Sequence, residues 1–344
     1  MEEKKKIILG ISCGDINGIG VEILIKTFSN YNLFDFCTPV LYVPLSVVHF
    51  YKKLYKMDDF NYHVIKNIQG ISPKQLNIIK INDEGISINP GKNNELAGKV
   101  AINSLELAIQ DLKKKAIDSL VTLPVNKQNI SLTYKDFVGH TEYLSSNFKN
   151  TPNLMLLCNE SLKIATATNH IPVSKVASSI NSAVLNEKIS ILIETLNVDF
   201  LISKPKIAIL SLNPHGGDNG LIGHEDLEII KPVVDEVFDD GHLVYGPYSA
   251  DGFFGSGNYK NFDAILAMYH DQALIPFKSM SFGQGVNYTA GLPIIRVSPG
   301  HGVGYDIAGQ NIATPTSLLS SIFLAREIFE NRLIHFGAVR KTKK

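Results

Sequence analysis

Three histidines close apolar runs in the same manner: Ala165-Thr166-Ala167-Thr168-Asn169-His170, Leu212-Asn213-Pro214-His215 and Met268-Tyr269-His270. Open α/β sheets bind ligands at the carboxyl ends of their strands. Three neutral imidazoles delivered there could hold Zn²⁺, Co²⁺ or a similar ion and leave a coordination position open for substrate. The intervals of 45 and 55 residues carry no short ligand motif, so on spacing alone each histidine is equally a plain strand-end residue.

Further polar residues cluster after the third histidine. Lys278, Asn287 and Arg296 follow at nine-residue intervals among apolar neighbours. Arg296, inside Leu292-Pro293-Ile294-Ile295-Arg296-Val297, needs an anionic partner if it points inward, whether a substrate or a structural carboxylate. Asp251 and Asp271 are candidate proton handlers or partners of the metal ligands, or else helix caps. Gly139-His140-Thr141-Glu142 reads as the start of a helix near Glu142 with Thr141 as its N-cap. That explains Thr141 but not His140, a candidate contact to phosphate or carboxylate. Gly14-Asp15-Ile16-Asn17-Gly18-Ile19-Gly20 is a glycine-bearing turn ordered G-x-x-x-G-x-G, not the dinucleotide fingerprint G-x-G-x-x-G. It is either an anion site at a helix N-terminus or a plain tight turn.

These residues must be positioned by alternating strands and helices. Ile7–Ser12 reads as a strand, Val21–Phe28 as a helix and Pro39–Val43 as a second strand; the signal between Lys56 and Pro90 is weak. Ala101, Leu105, Ala108, Ile109 and Leu112 recur at helical spacing and lead into a strand at Leu120–Thr122. Leu154–Leu157 and Leu162–Ala167 flank Asn159-Glu160 as a hairpin. Leu185, Ile189, Leu192 and Leu196 mark another helix. Ile207–Leu212, Leu243–Tyr245 and Ala264–Ala267 read as strands, and Leu318–Phe329 as a closing helix.

At 344 residues the chain is long for one core, so two domains are expected. With no linker-like stretch they are interleaved, approximately 1–135 with 275–344 and 136–274. Lys+Arg and Asp+Glu both total 33, so no net field draws the chain to nucleic acid or a membrane. The basic tails, Glu2–Lys6 and Arg340–Lys344, read as solvated ends. Three scattered cysteines fit a reducing cytoplasm better than a disulfide framework. Neither a signal-peptide apolar core nor an apolar run of about 18 residues is present, so a cytoplasmic enzyme is expected.

The motifs in order carry a resemblance: GDINGIG at Gly14–Gly20, GHTE at Gly139–Glu142, NHIP at Asn169–Pro172, LNPHGGDNGLIGHED at Leu212–Asp226, GPYSADGFF at Gly246–Phe254 and MYHDQ at Met268–Gln272. Together they resemble the 4-hydroxythreonine-4-phosphate dehydrogenase family of vitamin B6 biosynthesis, over nearly the whole chain. HGVGYDIAGQNIATP, His301–Pro315, is similar to the cofactor loop of isocitrate and isopropylmalate dehydrogenases. The resemblance implies an α/β fold of two interleaved α/β/α domains, isopropylmalate dehydrogenase-like, with an active-site cleft between them.

It further implies that His170, His215 and His270 bind one divalent metal (Zn, Mg or Co), the third ligand coming across a homodimer interface. His140, Thr141, Lys278, Asn287 and Arg296 match the family's substrate contacts, Lys278 and Asp251 are expected in catalysis, and Gly302, Asp306 and Gly309 are placed at NAD or NADP. Two departures stand out: Ile16-Asn17 where the family usually has Pro-Ala, and Thr314 where the distant relatives' loop commonly has Asn. The implied reaction is oxidation of 4-phosphooxy-L-threonine at C3 by NAD, followed by loss of CO₂. A D-threonate or D-erythronate 4-phosphate dehydrogenase would share these motifs. A phosphate-binding acyltransferase of related fold would not need the three histidines.

Overall fold

A computed structural model describes residues 6–342 apart from residues 31, 83, 136 and 282. Most of the two basic tails, residues 2–5 and 343–344, lies outside the described residues. The chain divides into two compact units, Met1–Asn150 with Pro293–Phe329 and Thr151–Leu292 with Glu330–Lys344. Both are α/β, and the chain passes between them more than once.

In the first unit β1 (Ile7–Ser12), β2 (Cys37–Val43), β3 (Tyr62–Ile65), β4 (Leu76–Lys80) and β5 (Ser119–Thr122) precede the excursion into the second unit. The strand β12 (Ile295–Pro299) belongs to the returning segment. They pair in the order β3-β4-β2-β1-β5-β12, all parallel. Every residue of β2 and β5 is buried, which is why these strands read as continuous apolar runs instead of alternating ones. The helix Glu95–Lys113 buries Ala97, Ala101, Leu105, Ala108 and Leu112, and the Asn94 side chain accepts a hydrogen bond from the Ala97 N–H to cap it. The weak stretch from Lys56 to Pro90 resolves into β3 and β4 alone as strands among the described residues.

The second unit contains β6 (Leu154–Cys158), β7 (Lys163–Thr166), β8 (Ile207–Leu210), β9 (Val244–Tyr248), β10 (Ala264–Ala267) and β11 (Val286–Ala290), in the order β11-β6-β7-β10-β8-β9. β6 and β7 form the expected antiparallel hairpin. Asn159 turns it: its side-chain oxygen accepts from the Ser161 and Leu162 N–H groups, while its own N–H donates to the Leu162 carbonyl. β7, β10, β8 and β9 run parallel. Three of them, β7, β10 and β8, are consecutive neighbours, so the segments leaving their carboxyl ends emerge side by side. Ile164, Ala208, Leu210, Ile265 and Ala267 from these strands share a core with Phe253 and Phe277.

The closing helix is longer than its apolar pattern implies, Thr316–Thr342 instead of Leu318–Phe329. Its later part carries exposed Leu333, Ile334 and Phe336, so the buried periodicity ends before the helix does. No helix among the described residues is long and apolar enough to cross a membrane.

Candidate active site

The first unit holds a cluster suited to anions. Arg296 lies on β12 opposite Leu120 of β5, is 2% exposed, and donates from Nε and Nη2 to the Thr122 hydroxyl at 3.2 and 2.7 Å. Burial lowers its pKa to about 10, against the opposing pull of the Glu142 carboxylate. It remains a cation at neutral pH, and the inward-pointing alternative raised by its sequence setting is realised.

His140 opens the helix His140–Asn147, whose N-cap is Gly139 with no side-chain cap. Thr141 is therefore not the N-cap: the helix starts two residues earlier than Glu142, and the threonine lies buried in the first turn. His140 Nε2 is shielded from solvent and has no hydrogen-bond partner among the described residues. Its pKa is held well below the ordinary value by burial first, then by the Arg296 and Lys127 charges. A neutral imidazole with a shielded, unpartnered nitrogen carries a desolvation penalty that a ligand group would relieve.

The second unit holds the histidines. His170 lies four residues past β7, and its segment is tied to the neighbouring strand end by the Thr168 N–H and hydroxyl, both donating to the Met268 carbonyl. His270 follows β10 and opens the helix His270–Ser281. The two rings lie 5.7 Å apart between centroids. His270 Nδ1 is 2.7 Å from Asp271 Oδ1. With Nδ1 as donor, the lone pair falls on Nε2, as a metal-ligating histidine requires.

His215 is reached through an unusual backbone. His215, Gly216, Gly217, Asp218 and Asn219 all have positive φ, between 44° and 77°, a conformation that L side chains rarely adopt in succession. Buried Asp226 holds the entry to this loop: its carboxylate accepts from the Leu212 N–H (2.7 Å), the Asn213 N–H (2.9 Å) and the Asn213 side-chain amide (3.0 Å). Gln272 joins two strand ends, accepting from the Met268 N–H and donating to the Ser211 carbonyl, both at 2.7 Å. Neither Asp226 nor Gln272 was singled out from sequence, although each lies within a quoted motif. The signal available in each case is a polar residue two positions after a histidine, His224 or His270.

The structure thus brings His170 and His270 together. Among the described residues no group of three or more His, Cys, Asp or Glu side chains converges as a metal site. Asp251 is exposed, and its carboxyl is held below the usual range chiefly by the Ser249 hydroxyl, which donates to it at 2.7 Å, with a smaller contribution from His215. Lys278 is exposed in the last turn of the helix begun by His270. Asn287 lies on β11 opposite Leu157, with its side-chain oxygen shielded and unpartnered among the described residues.

The Gly14–Gly20 turn is wholly buried, so of its two readings the structure favours the tight turn over an open anion site. The Val303 carbonyl occupies it, accepting from the Ile19 N–H at 2.9 Å. Gly18 permits that approach, because a Cβ there would lie 2.3 Å from the Val303 side chain. Asn17, where the family pattern has Ala, accepts from the Asn89 N–H at 2.8 Å and donates to the Lys92 carbonyl at 2.9 Å. Alanine could make neither bond. Gly302 and Asp306 of the predicted cofactor loop are exposed, and Gly309 sits at φ 83° against Pro90.

A family model described as pyridoxal phosphate biosynthetic protein PdxA matches residues 35–325. The 4-hydroxythreonine-4-phosphate dehydrogenase of Bacteroides thetaiotaomicron is 43% identical over 331 residues, covering 96% of this chain and 91% of the relative. A relative from Cutibacterium acnes, named as a candidate D-threonate 4-phosphate dehydrogenase, is 34% identical over 328 residues and 94% of each chain. The crystal structure of 4-hydroxythreonine-4-phosphate dehydrogenase from Klebsiella pneumoniae superposes with a TM-score of 0.79 at 30% identity, covering 96% of this chain and 99% of that one.

Proposed function

The chain belongs to the PdxA family of pyridoxal phosphate biosynthetic proteins, and from that premise we propose that it is an NAD-dependent 4-hydroxythreonine-4-phosphate dehydrogenase requiring a divalent metal. The reaction oxidises the C3 hydroxyl of 4-phosphooxy-L-threonine to 2-amino-3-oxo-4-phosphooxybutanoate, a β-keto acid that loses CO₂ to give 3-amino-2-oxopropyl phosphate. The observation that carries this reading is the pair of imidazoles, His170 and His270, 5.7 Å apart at the ends of neighbouring parallel strands.

The donor set of neutral imidazoles fits Zn or Co in its chemistry better than Mg, which favours oxygen ligands. His270 has its tautomer set by Asp271, and His170 and His215 issue from strands on either side of β10. That three donors do not converge among the described residues of one chain accords with a homodimer in which the partner supplies one ligand. A cation held by these histidines supplies Lewis acidity at the hydroxyl oxygen, and the nicotinamide, as NAD or NADP, supplies the hydride acceptor.

The chain's own residues bind and orient. Arg296 presents a buried fork, charged at neutral pH, to the phosphate or carboxylate, and neutral His140 and Thr141 add polar contacts. Asn287 offers its shielded amide. Lys278 places positive charge where alkoxide character develops. Asp251, kept ionised, is able to take the hydroxyl proton.

An absorbance assay for NADH with 4-phosphooxy-L-threonine, with and without a chelator, tests the reading. NADH formation abolished by chelation and restored by metal is expected. The C. acnes relative favours a second reading, so D-threonate 4-phosphate belongs in the same assay; turnover of that compound alone would reassign the substrate. No NADH from either would remove the dehydrogenase reading and leave phosphate-dependent acyl transfer. Subunit sharing has its own test. Because His170 and His270 lie together in one chain, His215 is the ligand to come from the partner: His170→Ala and His215→Ala homodimers should each be inactive, while co-refolding them should restore up to about one quarter of wild-type activity, because half the dimers are mixed and each has one intact site. No recovery despite subunit exchange would place all three ligands in one chain.

A further inference from the structure

Two carboxylates, one in the first motif and one in the helix that follows it, are buried and play no part in the reaction described above. Asp15 is 1% exposed and Glu22 fully buried. A buried carboxylate is retained only where its oxygens are well satisfied, and the partners of both lead to the same stretch of chain, residues 301–315.

Asp15 Oδ2 accepts from the Tyr305 hydroxyl at 2.7 Å and from the Asn129 side-chain amide at 2.9 Å, and that amide also donates to the Tyr305 oxygen at 2.9 Å. Asp15 Oδ1 accepts from the Asn17 N–H at 2.9 Å. Glu22 Oε1 accepts from the Ala313 N–H at 2.9 Å and from Lys26 Nζ at 2.8 Å. Lys26 in turn donates to the Asn311 and Ala313 carbonyls, both at 2.9 Å. Glu22 Oε2 accepts from the Tyr55 hydroxyl at 2.9 Å, and that hydroxyl also meets the Gly309 backbone N–H.

The loop is thus fastened at residues 305, 309 and 313, four residues apart, to two charges on one turn and the helix that follows it. Asp306, between these points, and Gly302, just ahead of them, are exposed. The spacing leaves the loop few ways to move without breaking a charge-assisted hydrogen bond.

We infer that Asp15 and Glu22, acting through the Tyr305 and Tyr55 hydroxyls and the Ala313 N–H, are positioning residues that set the nicotinamide cofactor loop in its binding conformation before the cofactor arrives. The inference rests on the reading of residues 301–315 as that loop. Preorganisation of this kind lowers the entropy lost on binding and so acts on cofactor affinity.

The test measures NADH affinity by fluorescence titration of the full-length protein, with steady-state constants alongside. Tyr305→Phe and Tyr55→Phe each remove one hydroxyl and preserve the ring, so they spare the fold that Asp15→Asn would endanger. Each should raise the Kd for NADH and the KM for NAD about five- to tenfold, the effect of losing about one net hydrogen bond. The kcat at saturating NAD and the KM for the phosphorylated substrate should stay within about twofold. A merely structural role would lower the urea midpoint without moving the Kd.

Gly302→Glu separates the two layers of the argument. A Cβ at Gly302 meets nothing within 4 Å, so the added carboxylate is tolerated sterically and repels the cofactor's phosphates. If Gly302→Glu weakens NADH binding while both Phe variants bind normally, the positioning role is overturned and the cofactor loop stands. If Gly302→Glu also binds normally, the loop is not the cofactor site and both fall together.

Discussion

The two irregular stretches to which the proposed function assigns chemistry, residues 301–315 and 212–226, are held in opposite ways. The first is fastened by carboxylates contributed from nearly 300 residues away in sequence, Asp15 and Glu22. Its positive φ values are confined to Gly304, Gly309 and Asn311. The second is fastened by its own last residue, Asp226, and runs through five successive left-handed residues of which the first is the exposed His215. Long-range bonds fix a loop in one shape regardless of ligand. A local anchor on a strained turn leaves the presented side chain dependent on what it binds. The comparison separates a stretch whose shape is built in from one whose exposed histidine, on the proposed function, would be completed by a metal and a second copy.

The largest expected effect falls on that centre. His215→Ala should reduce activity to background and take the bound metal with it, read by metal analysis of the purified protein. Wild-type turnover with full metal content would break the comparison at its root. Next comes the local anchor. Asp226→Asn keeps the shape and weakens acceptance from the Leu212 and Asn213 N–H groups, so divalent-cation affinity should fall about tenfold by calorimetry, the range seen when groups supporting a ligand are changed. An unchanged affinity would mean that the left-handed turn holds itself.

On the recognition side the effects are smaller and confined to binding. Arg296→Lys retains charge but loses the planar fork, so the KM for the phosphorylated substrate should rise about tenfold with kcat little altered. A kcat effect instead would move Arg296 from recognition to catalysis. The smallest effect is in stability. Because His140 is held neutral in the folded protein well below its ordinary pKa, the unfolded chain binds more protons below about pH 6.5. Stability should therefore fall as pH drops through that value, by at most about 1.4 kcal/mol per pH unit from this group, and be unaffected above it. Urea midpoints of the wild type and His140→Asn at pH 7.5 and 5.5 measure the difference. Parallel curves would show that the imidazole binds protons alike in the folded and unfolded chain.

Much of the architecture was legible before the structure. Apolar runs such as Ile207–Leu210 and Ala264–Ala267 are strands because both faces are buried, and the three histidines stand just past strand ends as their positions imply. Thr141 shows the limit of local reading. Its residue type suits a cap, but Gly139 begins the helix, and a good capping residue is only a preference that tertiary packing overrides. The Gly14–Gly20 turn shows another, since nothing nearby in sequence says that Val303 will cover it.

The sequence by itself determined the elements, the candidate residues and, through six ordered motifs, the family. Periodicity and turn chemistry act between near neighbours, so a single chain displays them openly. Only the tertiary structure decided that β10 lies between β7 and β8, which sets His170 beside His270, and that Asp15 and Glu22 serve a loop at the other end of the chain. Those facts depend on parallel strand pairing and buried hydrogen bonds between segments 100 to 290 residues apart, and no local pattern of residue types encodes which distant partner a buried carboxylate or a strand edge will find.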